Sequence, residues 1–414
     1  MPIRVKIARS AQEMDDVFHL RWHVYAQEEG YFGGAAHAPP YITDRYDAHP
    51  GCFNLIAYEG AEPIATLRLN DDTGAGLPSE LFWDFSAYRA QAAEESGRQG
   101  GQARLASASM LAIRRPWRKR RDIFRALFKV AAALGVQHGT THVIASVNHK
   151  SAAMYRRIGF RPLAGKIWIG EIGEHIVPMA CRFADFHAWA FERLEHSEAT
   201  LTQLATHAER LLYSAGEVIF REGDRAAECY LIDMGTVRIT RYSPQERRVL
   251  TLSTLGPGEL FGELALVDDR PRSATATATT NVEVVAIRRE DFHAQIGRDP
   301  ARAHELLHLF AERIRRTDEL ALMLAYGTTE ERLDHALRAL YEVARPARGQ
   351  REGAGEAARC VQAGPAELAR TAGVDERLAR RYLESLASDG WCEFSEERIR
   401  FMRDPGLRSH PGRH

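Results

Sequence analysis

A Gly-Glu pair, an arginine and a serine lie close together in the stretch FGELALVDDRPRSATATA, residues 261–278. Arg272 follows Glu263 by nine residues, and Ser273 comes directly after it. A turn of backbone N–H groups beside one arginine is suited to binding an anion such as phosphate. The carboxylate of Glu263 is unsuited to a phosphate, so a sugar hydroxyl is its natural partner. The alternative is a glycine-rich turn with a surface ion pair.

This stretch closely resembles the phosphate-binding cassette of cyclic-nucleotide-binding domains. The resemblance implies that Arg272 and Ser273 hold the cyclic phosphate. It also implies that Glu263 and the backbone of Gly262 hold the ribose 2′-hydroxyl. The expected effector is cAMP, and cGMP stays open because the same residues serve any 3′,5′-cyclic nucleotide.

Short strands and glycine turns over residues 211–292 predict a small barrel, and a long helix is expected at 300–326. Catabolite-activator-like proteins use a threonine of this helix to contact the adenine, and Thr317 is at the matching position. The next residue is often serine in that family and is Asp318 here. The alternative is a helix-surface threonine. The apolar side of the helix could be buried against its own barrel or against the same helix of a parallel dimer partner. The family resemblance favours the homodimer.

Residues 366–386 have the pattern of a helix-turn-helix, with Gly373 in the turn and Asp375 as N-cap of the second helix. Arg377, Arg380 and Arg381 fall on one face of that helix, as DNA recognition requires. Together with the preceding domain, the segment resembles the CRP/FNR family of transcription regulators, which implies promoter DNA as a partner. Residues 363–403 contain seven basic and eight acidic residues. The alternative is therefore a winged-helix remnant used for dimerisation or protein contact.

Residues 105–160 predict a strand, a helix, a strand and a short helix, and include the pattern N148-xxx-A152-xx-Y155-xxx-G159-F160. This order resembles the acyl-CoA-binding half of the GNAT superfamily. The resemblance implies that Tyr155 is the general acid that protonates the leaving thiolate. The alternative is a tyrosine that only packs in the core.

The segment FHLRWHVYAQEEGY, residues 18–31, resembles the N-acyl amino acid synthases and, more distantly, the acyl-homoserine-lactone synthases. This implies a long-chain acyl donor on acyl carrier protein or CoA, and an amine or amino acid as acceptor. The strand 105–113 contains no acidic residue, so Glu28 and Glu29 are the candidates for a general base.

A basic loop follows at 114–121, where six of eight residues are basic and the glycines usual in the superfamily are missing. Its last four residues, Arg118, Lys119, Arg120 and Arg121, are candidates for binding CoA phosphates or the acidic face of a carrier protein. The alternative is a solvated basic edge.

Composition is that of a soluble multidomain protein, with 27% charged residues and a net charge of −1 among 414 residues. That balance favours neither nucleic acid nor membrane as a partner of the whole chain. No apolar run approaches 18 residues, so no membrane span is expected, and residues 1–10 lack the apolar core of a secretory signal. Five scattered cysteines indicate reduced thiols in a cytoplasmic protein. No metal site is predicted.

The expected fold class is multidomain: a GNAT-like α/β domain at 1–190, a jelly-roll-like β-barrel that binds cyclic nucleotide at 197–299, a dimerisation helix at 300–328 and a winged helix-turn-helix at 330–403. The leading hypothesis is a cAMP-responsive transcription regulator with a fused acyltransferase-like module. The alternative is a cAMP-gated N-acyltransferase whose helix-turn-helix serves dimerisation or autoinhibition. Whether the acyltransferase module is an active enzyme stays open.

Overall fold

The computed structural model describes residues 1–34, 40–98, 100–191, 209–245, 248–298, 300–346 and 358–407. These residues belong to two compact units, Met1–Leu212 and Tyr213–His414. The sequence also predicts a short helical run at 197–210. It lies outside the described residues except for its last two, which begin a strand instead. A loop rich in glycine, arginine and alanine is expected at 345–360, and most of it also lies outside the described residues.

The first unit is built on a mixed sheet with helices against it. Its strands run in the order β9-β1-β2-β3-β4-β5-β8-β6, with β7 paired to β8. The strands are β1 Ile3–Ile7, β2 Cys52–Glu59, β3 Glu62–Asp71, β4 Leu105–Ile113, β5 His142–Asn148, β6 Arg161–Pro162, β7 Ile167–Ile169, β8 Glu174–Arg182 and β9 Glu209–Tyr213. The α-helices are Ala11–Trp22, Ser86–Arg98, Arg121–Gln137, Ala152–Arg157 and Phe183–Phe191. The predicted strand–helix–strand–helix order over 105–160 is confirmed.

The core of this unit forms around the helix Arg121–Gln137, whose buried side chains cover most of its circumference. Ile123, Leu127 and Leu134 belong to the same apolar cluster as Leu55 and Leu67 of the sheet. A helix that is apolar nearly all round must be covered on several sides. The sheet and the aromatic helix Phe183–Phe191 provide that cover.

The second unit begins with the barrel, whose strands form two groups. One group has the order β14-β11-β16 and the other the order β10-β15-β12-β13. The strands are β10 Val218–Phe220, β11 Glu228–Met234, β12 Val237–Ser243, β13 Arg248–Leu255, β14 Leu260–Phe261, β15 Thr275–Ala278 and β16 Val282–Arg288. The predicted short strands and β-barrel class are confirmed.

Helices follow the barrel and end in a small winged module. The helices are Leu264–Val267 within the barrel, then Arg289–Arg298, Pro300–Tyr326, Thr329–Glu342, Pro365–Ala372 and Glu376–Ser388. A four-stranded sheet has the order β17-β18-β20-β19, with β17 Arg345–Pro346, β18 Arg359–Val361, β19 Cys392–Phe394 and β20 Ile399–Phe401. Leu337, Leu368 and Leu383 join three of these helices in one apolar core. The long helix spans the predicted 300–326.

Among the described residues, none of the helices combines the length and the apolar character needed to cross a bilayer.

Candidate functional site

The cassette turn is shaped by Gly262, which lies between β14 and the short helix Leu264–Val267. Its backbone φ is +77°, a left-handed conformation that favours glycine. A Cβ atom on Gly262 would come within 2.6 Å of Nη1 of Arg272. The glycine therefore permits both the turn and the close approach of the arginine.

Arg272 is a buried cation whose Nε atom is left without a hydrogen-bond partner among the described residues. Its side chain donates to the carbonyl oxygens of Gly262 at 2.5 Å and Glu228 at 2.6 Å. The guanidinium carbon lies 4.1 Å from the centre of the Phe220 ring and 5.6 Å from that of Tyr230. The buried Nε atom has no hydrogen-bond partner among the described residues. Burial lowers the pKa of the guanidinium, while nearby Tyr230 and Glu228 oppose that shift. An anion in this cavity would also favour the charged form of Arg272.

Glu263 is fully buried and only half satisfied. One carboxylate oxygen accepts a hydrogen bond from Arg313 of the long helix. The other, Oε2, has no partner in the described part of the chain. Burial raises the pKa of this carboxyl, and the charges of Arg313 and Arg272 oppose the rise. An unsatisfied buried acceptor is costly, and a ligand hydroxyl would satisfy it.

Arg313 is a site residue that the sequence analysis missed. It also donates to the carbonyl oxygen of Leu260, so it fastens the long helix to the cassette strand at two points. In the sequence, its position one helical turn before Thr317 in the run AERIRRTDEL indicates that it lies on the same side of the helix as that threonine. Thr317 itself donates its hydroxyl back to the carbonyl oxygen of Arg313 at 2.8 Å.

One cavity of about 220 Å³ collects all five predicted nucleotide residues. Gly262, Glu263, Arg272, Ser273 and Thr317 line it together. Apolar side chains form much of the remaining wall, namely Phe220, Ile239, Leu252, Leu255 and Leu309. An anion site, a hydroxyl acceptor and an apolar wall in one cavity suit a phosphorylated sugar that carries a flat base.

The predicted helix-turn-helix is present as two helices, Pro365–Ala372 and Glu376–Ser388. Gly373 ends the first helix at a φ of +66°, and Asp375 caps the second by accepting from the N–H of Arg377 at 2.8 Å. Both local features that the sequence indicated are therefore confirmed, because each depends only on neighbouring residues.

The three candidate DNA-binding arginines differ in their surroundings. Arg377 and Arg381 are exposed. Arg380 instead forms two hydrogen bonds with Glu396, at 2.7 and 2.8 Å. Glu396 lies in the wing, the hairpin formed by β19 and β20. These bonds raise the pKa of Arg380 and reduce its availability for DNA.

The parallel strands β4 and β5 of the first unit are paired over only part of their length. Strands β4 and β5 pair over Leu105–Ser107 and His142–Ile144, whereas β4 continues to Ile113 and β5 to Asn148. Met110 has a positive φ of 52°, and the register between β3 and β4 shifts nearby. Such a bulge bends a strand away from its neighbour and often lies beside an active site.

Tyr155 lies within the apolar core and not at an open site. Its side chain is 4% exposed and its ring meets those of Phe128 and Phe160 edge to face. Burial raises the pKa of the phenol well above its usual range. This environment favours the packing alternative over the general-acid hypothesis.

The candidate bases pair with the candidate donor-binding loop. Glu28 accepts from the N–H of Arg115 at 3.0 Å, and it forms an ion pair with Arg118 at 2.5 Å. Glu29 also pairs with Arg118 at 2.5 Å. Two predicted sites thus come together as one ion-pair network, and both carboxylates are engaged by cations. This arrangement weakens the hypothesis that either is a free general base.

The rest of the basic loop divides between paired and exposed residues. Arg120 pairs with Asp122 at 2.6 Å, whereas Lys119 and Arg121 are exposed. A phosphate or an acidic partner surface would therefore meet Lys119 and Arg121 first.

A buried charge cluster in the same unit was not foreseen. Arg21 is fully buried and pairs with Asp47 at 3.0 Å, while the nearly buried Arg68 pairs with Asp47 at 3.1 Å and with Asp44 at 2.6 Å. Asn54 bonds both Arg21 and Asp47. Removing charges from water is costly, so buried ion pairs favour the one arrangement in which each charge is paired. This cluster therefore fixes the helix Ala11–Trp22, which carries Arg21, against β2 and β3, which carry Asn54 and Arg68.

Two family models match separate parts of the chain. The N-acyl amino acid synthase FeeM family matches residues 16–182, and the cyclic nucleotide-binding domain matches residues 210–299. The first covers the parted strands, and the second covers the cassette.

Two curated relatives and one solved structure illustrate what the chain is similar to. The cyclic AMP receptor protein of Thermus thermophilus is 38% identical over 187 residues, which are 45% of this chain and 80% of the relative. A CRP-like cAMP-activated global transcriptional regulator of Mycobacterium tuberculosis is 28% identical, with 51% of this chain and 91% of the relative covered. The solved structure of FeeM, an N-acyl amino acid synthase from uncultured soil microbes, shares 16% identity, with a TM-score of 0.35 over 45% of this chain and 94% of FeeM.

Proposed function

The chain belongs to the cyclic AMP receptor protein family, and on this basis we propose that it is a cAMP-responsive transcription regulator with a fused acyltransferase-like domain. The observation that carries the proposal is that two buried, oppositely charged side chains in one cavity each have one polar atom without a partner. Arg272 keeps a free Nε and Glu263 a free Oε2 among the described residues. An anion and a hydroxyl on the same small molecule would satisfy both.

A cyclic nucleotide supplies these two groups on one rigid ring system. The cyclic phosphate meets Arg272 and Ser273, and the ribose hydroxyl meets Glu263. The base then lies toward the long helix and Thr317. Charge-assisted hydrogen bonds in a buried site are the strong ones, so these contacts dominate the affinity. The name of the Thermus relative supports cAMP in preference to cGMP.

The long helix Pro300–Tyr326 supports assembly into a homodimer. It exposes large apolar side chains at Leu307, Ile314, Leu322 and Tyr326, which are 58–85% exposed. Their spacing of seven, eight and four residues places them along one side of the helix. A second copy of the same helix would cover this side, as in a parallel coiled coil.

Promoter DNA is the proposed target of the winged module. Arg377 and Arg381 project from the exposed face of the second helix of the helix-turn-helix. Arginines on such a helix contact guanine edges and phosphates in the major groove. Arg313 joins the nucleotide cavity to the long helix, so nucleotide binding has a physical route to this module.

Calorimetry of the full-length protein with cAMP and with cGMP tests the effector. We expect cAMP to bind, and Arg272→Ala to weaken binding by about 2–3 kcal/mol through loss of a charge-assisted phosphate contact. Arg270→Ala is the matched control, because Arg270 lies on the same loop and is 82% exposed. Absence of binding heat with either nucleotide in the parent protein rejects the proposal.

The alternative is a cAMP-gated N-acyltransferase, and the parting of β4 and β5 supports it. The FeeM family match covers these strands. The donor would be acyl-CoA or acyl carrier protein and the acceptor an amine or amino acid. An acyl-transfer assay with and without cAMP distinguishes the two functions. Transfer that rises with cAMP, without DNA binding, favours the enzyme.

A further inference from the structure

Two histidines and a glutamate meet where β5 ends and β8 begins. The antiparallel register pairs Asn148 with Ile176, and the N–H of His149 donates to the carbonyl oxygen of His175 at 3.1 Å. His149 and His175 are thus cross-strand neighbours, whose Cβ atoms lie about 5 Å apart in such a pair. Glu174 precedes His175, so the backbone itself brings three ligand-type side chains together.

The spacing of these side chains is close to that around a metal ion. Nδ1 of His149 lies 3.4 Å from Oε1 of Glu174, and Nδ1 of His175 lies 3.9 Å from the same oxygen. One ligand atom from each of the three side chains falls within 4.8 Å of the others. Tetrahedral zinc, with bonds of about 2.0–2.1 Å, separates its ligand atoms by about 3.4 Å. Small rotations of the imidazoles therefore complete the geometry.

The hydrogen bonding around the cluster leaves ligand atoms available. Nδ1 of His149 is buried and has no hydrogen-bond partner among the described residues. Oε2 of Glu174 accepts a hydrogen bond from Lys150 at 2.7 Å, and Oε1 accepts one from the backbone N–H of His175 at 2.8 Å. Oε1 also faces the two imidazoles, and its second lone pair remains for a metal ion. The ring of Trp168 meets that of His175 edge to face, with the ring centres 5.0 Å apart.

We propose that His149, Glu174 and His175 bind a divalent transition-metal ion, with Zn²⁺ as the reference ion. Two imidazoles and one carboxylate are a ligand set that zinc accepts, with its fourth position open to water. The ion joins the end of β5 to the β7–β8 hairpin. Asn148, the last residue of β5, donates to the hydroxyl of Tyr31 at 2.5 Å, so the ion lies beside the segment that carries the acyltransferase resemblance.

Zinc titration of the metal-free, full-length protein against a chromophoric chelator tests the proposal. The parent protein is expected to bind one equivalent through this site. His149→Ala and His175→Ala are expected to weaken binding by at least about 10-fold, since even the loss of an outer partner of a ligand costs about 10–100-fold. His293→Ala, at an exposed histidine of the second unit, is expected to bind like the parent. Circular dichroism checks that each variant is folded.

Two further measurements separate this site from adventitious binding. Lys150→Met removes the ammonium group that competes for Glu174, so it is expected to tighten zinc binding. Cobalt(II) bound by nitrogen and oxygen gives weak ligand-field bands, whereas the free cysteines would add intense sulfur-to-metal charge transfer. Zinc binding that is absent, or that is unchanged in both histidine variants, overturns the proposal, as do thiolate bands in the cobalt spectrum.

Discussion

Arg272 and Glu263 carry opposite charges in the same cavity, and each is fastened by other groups. Arg272 donates to two backbone carbonyl oxygens, and Glu263 accepts from Arg313. These hydrogen bonds hold both side chains in place before a ligand binds. Fewer side chains then have to be ordered on binding, which is how preorganisation raises affinity.

The role assigned to Glu263 predicts a specific loss of affinity. Glu263→Gln keeps the size of the side chain and removes its charge. We expect cAMP binding to weaken by about 1–2 kcal/mol, because a charged acceptor strengthens the hydrogen bond to the ribose hydroxyl. Calorimetry with 2′-deoxy-cAMP provides the control, since this analogue lacks the hydroxyl. An equal loss for both nucleotides would show that Glu263 acts only by packing.

The buried setting of Tyr155 predicts that its ring matters more than its hydroxyl. Tyr155→Phe keeps the edge-to-face contacts with Phe128 and Phe160, so we expect little change in the stability of the first unit. Tyr155→Ala leaves a cavity and is expected to cost about 3–5 kcal/mol. Thermal unfolding measures both. A Tyr155→Phe variant that keeps its stability but loses acyl transfer would restore the general-acid hypothesis.

Residues close in sequence were predictable, and pairs distant in sequence were not. The resemblance of residues 261–278 to a phosphate-binding cassette predicted that Gly262, Glu263, Arg272 and Ser273 share one site, and all four line the same cavity. The partner of Glu263 lies 50 residues away on the long helix, and the partner of Arg118 is Glu28, 90 residues before it. Such pairs depend on how the sheet and helices pack, which no local spacing encodes.

At the scale of elements, the wing restrains the second helix of the helix-turn-helix. Glu396 neutralises Arg380, which removes one of three arginines from the face expected to meet DNA. At least one acidic residue of this module therefore pairs with an arginine that would otherwise be available to DNA. It leaves Arg377 and Arg381 as the exposed cations of that face.

Releasing Arg380 is expected to strengthen DNA binding. Glu396→Gln removes the charge that holds the arginine, so one more phosphate contact becomes available. The logarithm of the binding constant should then fall more steeply with the logarithm of salt concentration, by about 0.9 per added contact. Titrations at several salt concentrations measure that slope. The control is Glu397→Gln, at the exposed neighbour, and an equal slope in both variants contradicts the assignment.

At the scale of the whole molecule, the second unit links its barrel to its winged module by an ion pair. Arg238 of β12 donates to Glu367 of the helix Pro365–Ala372 at 2.5 Å. Arg370 of the same helix also bonds Glu367, at 2.6 Å. The first helix of the helix-turn-helix is thereby held against the barrel, and movement of this module requires the contact to break.

Breaking this contact is expected to reduce the dependence of DNA binding on cAMP. Arg238→Ala removes a partly buried ion pair worth about 1 kcal/mol, which corresponds to about fivefold in an equilibrium. We therefore expect stronger DNA binding without cAMP and a smaller gain on adding it. Arg241→Ala is the control, because Arg241 lies on the same strand and is 63% exposed. Fluorescence anisotropy with labelled DNA measures both, and unchanged nucleotide-free binding in Arg238→Ala contradicts the prediction.

The most direct test of the central proposal is an electrophoretic shift of promoter fragments by the full-length protein, with and without cAMP. We predict a salt-sensitive shift that requires cAMP and that Arg272→Ala abolishes at cAMP concentrations that saturate the parent protein. The proposal would be contradicted by a shift of the same extent with and without cAMP. It would also be contradicted by the absence of any shift from protein that binds cAMP in calorimetry.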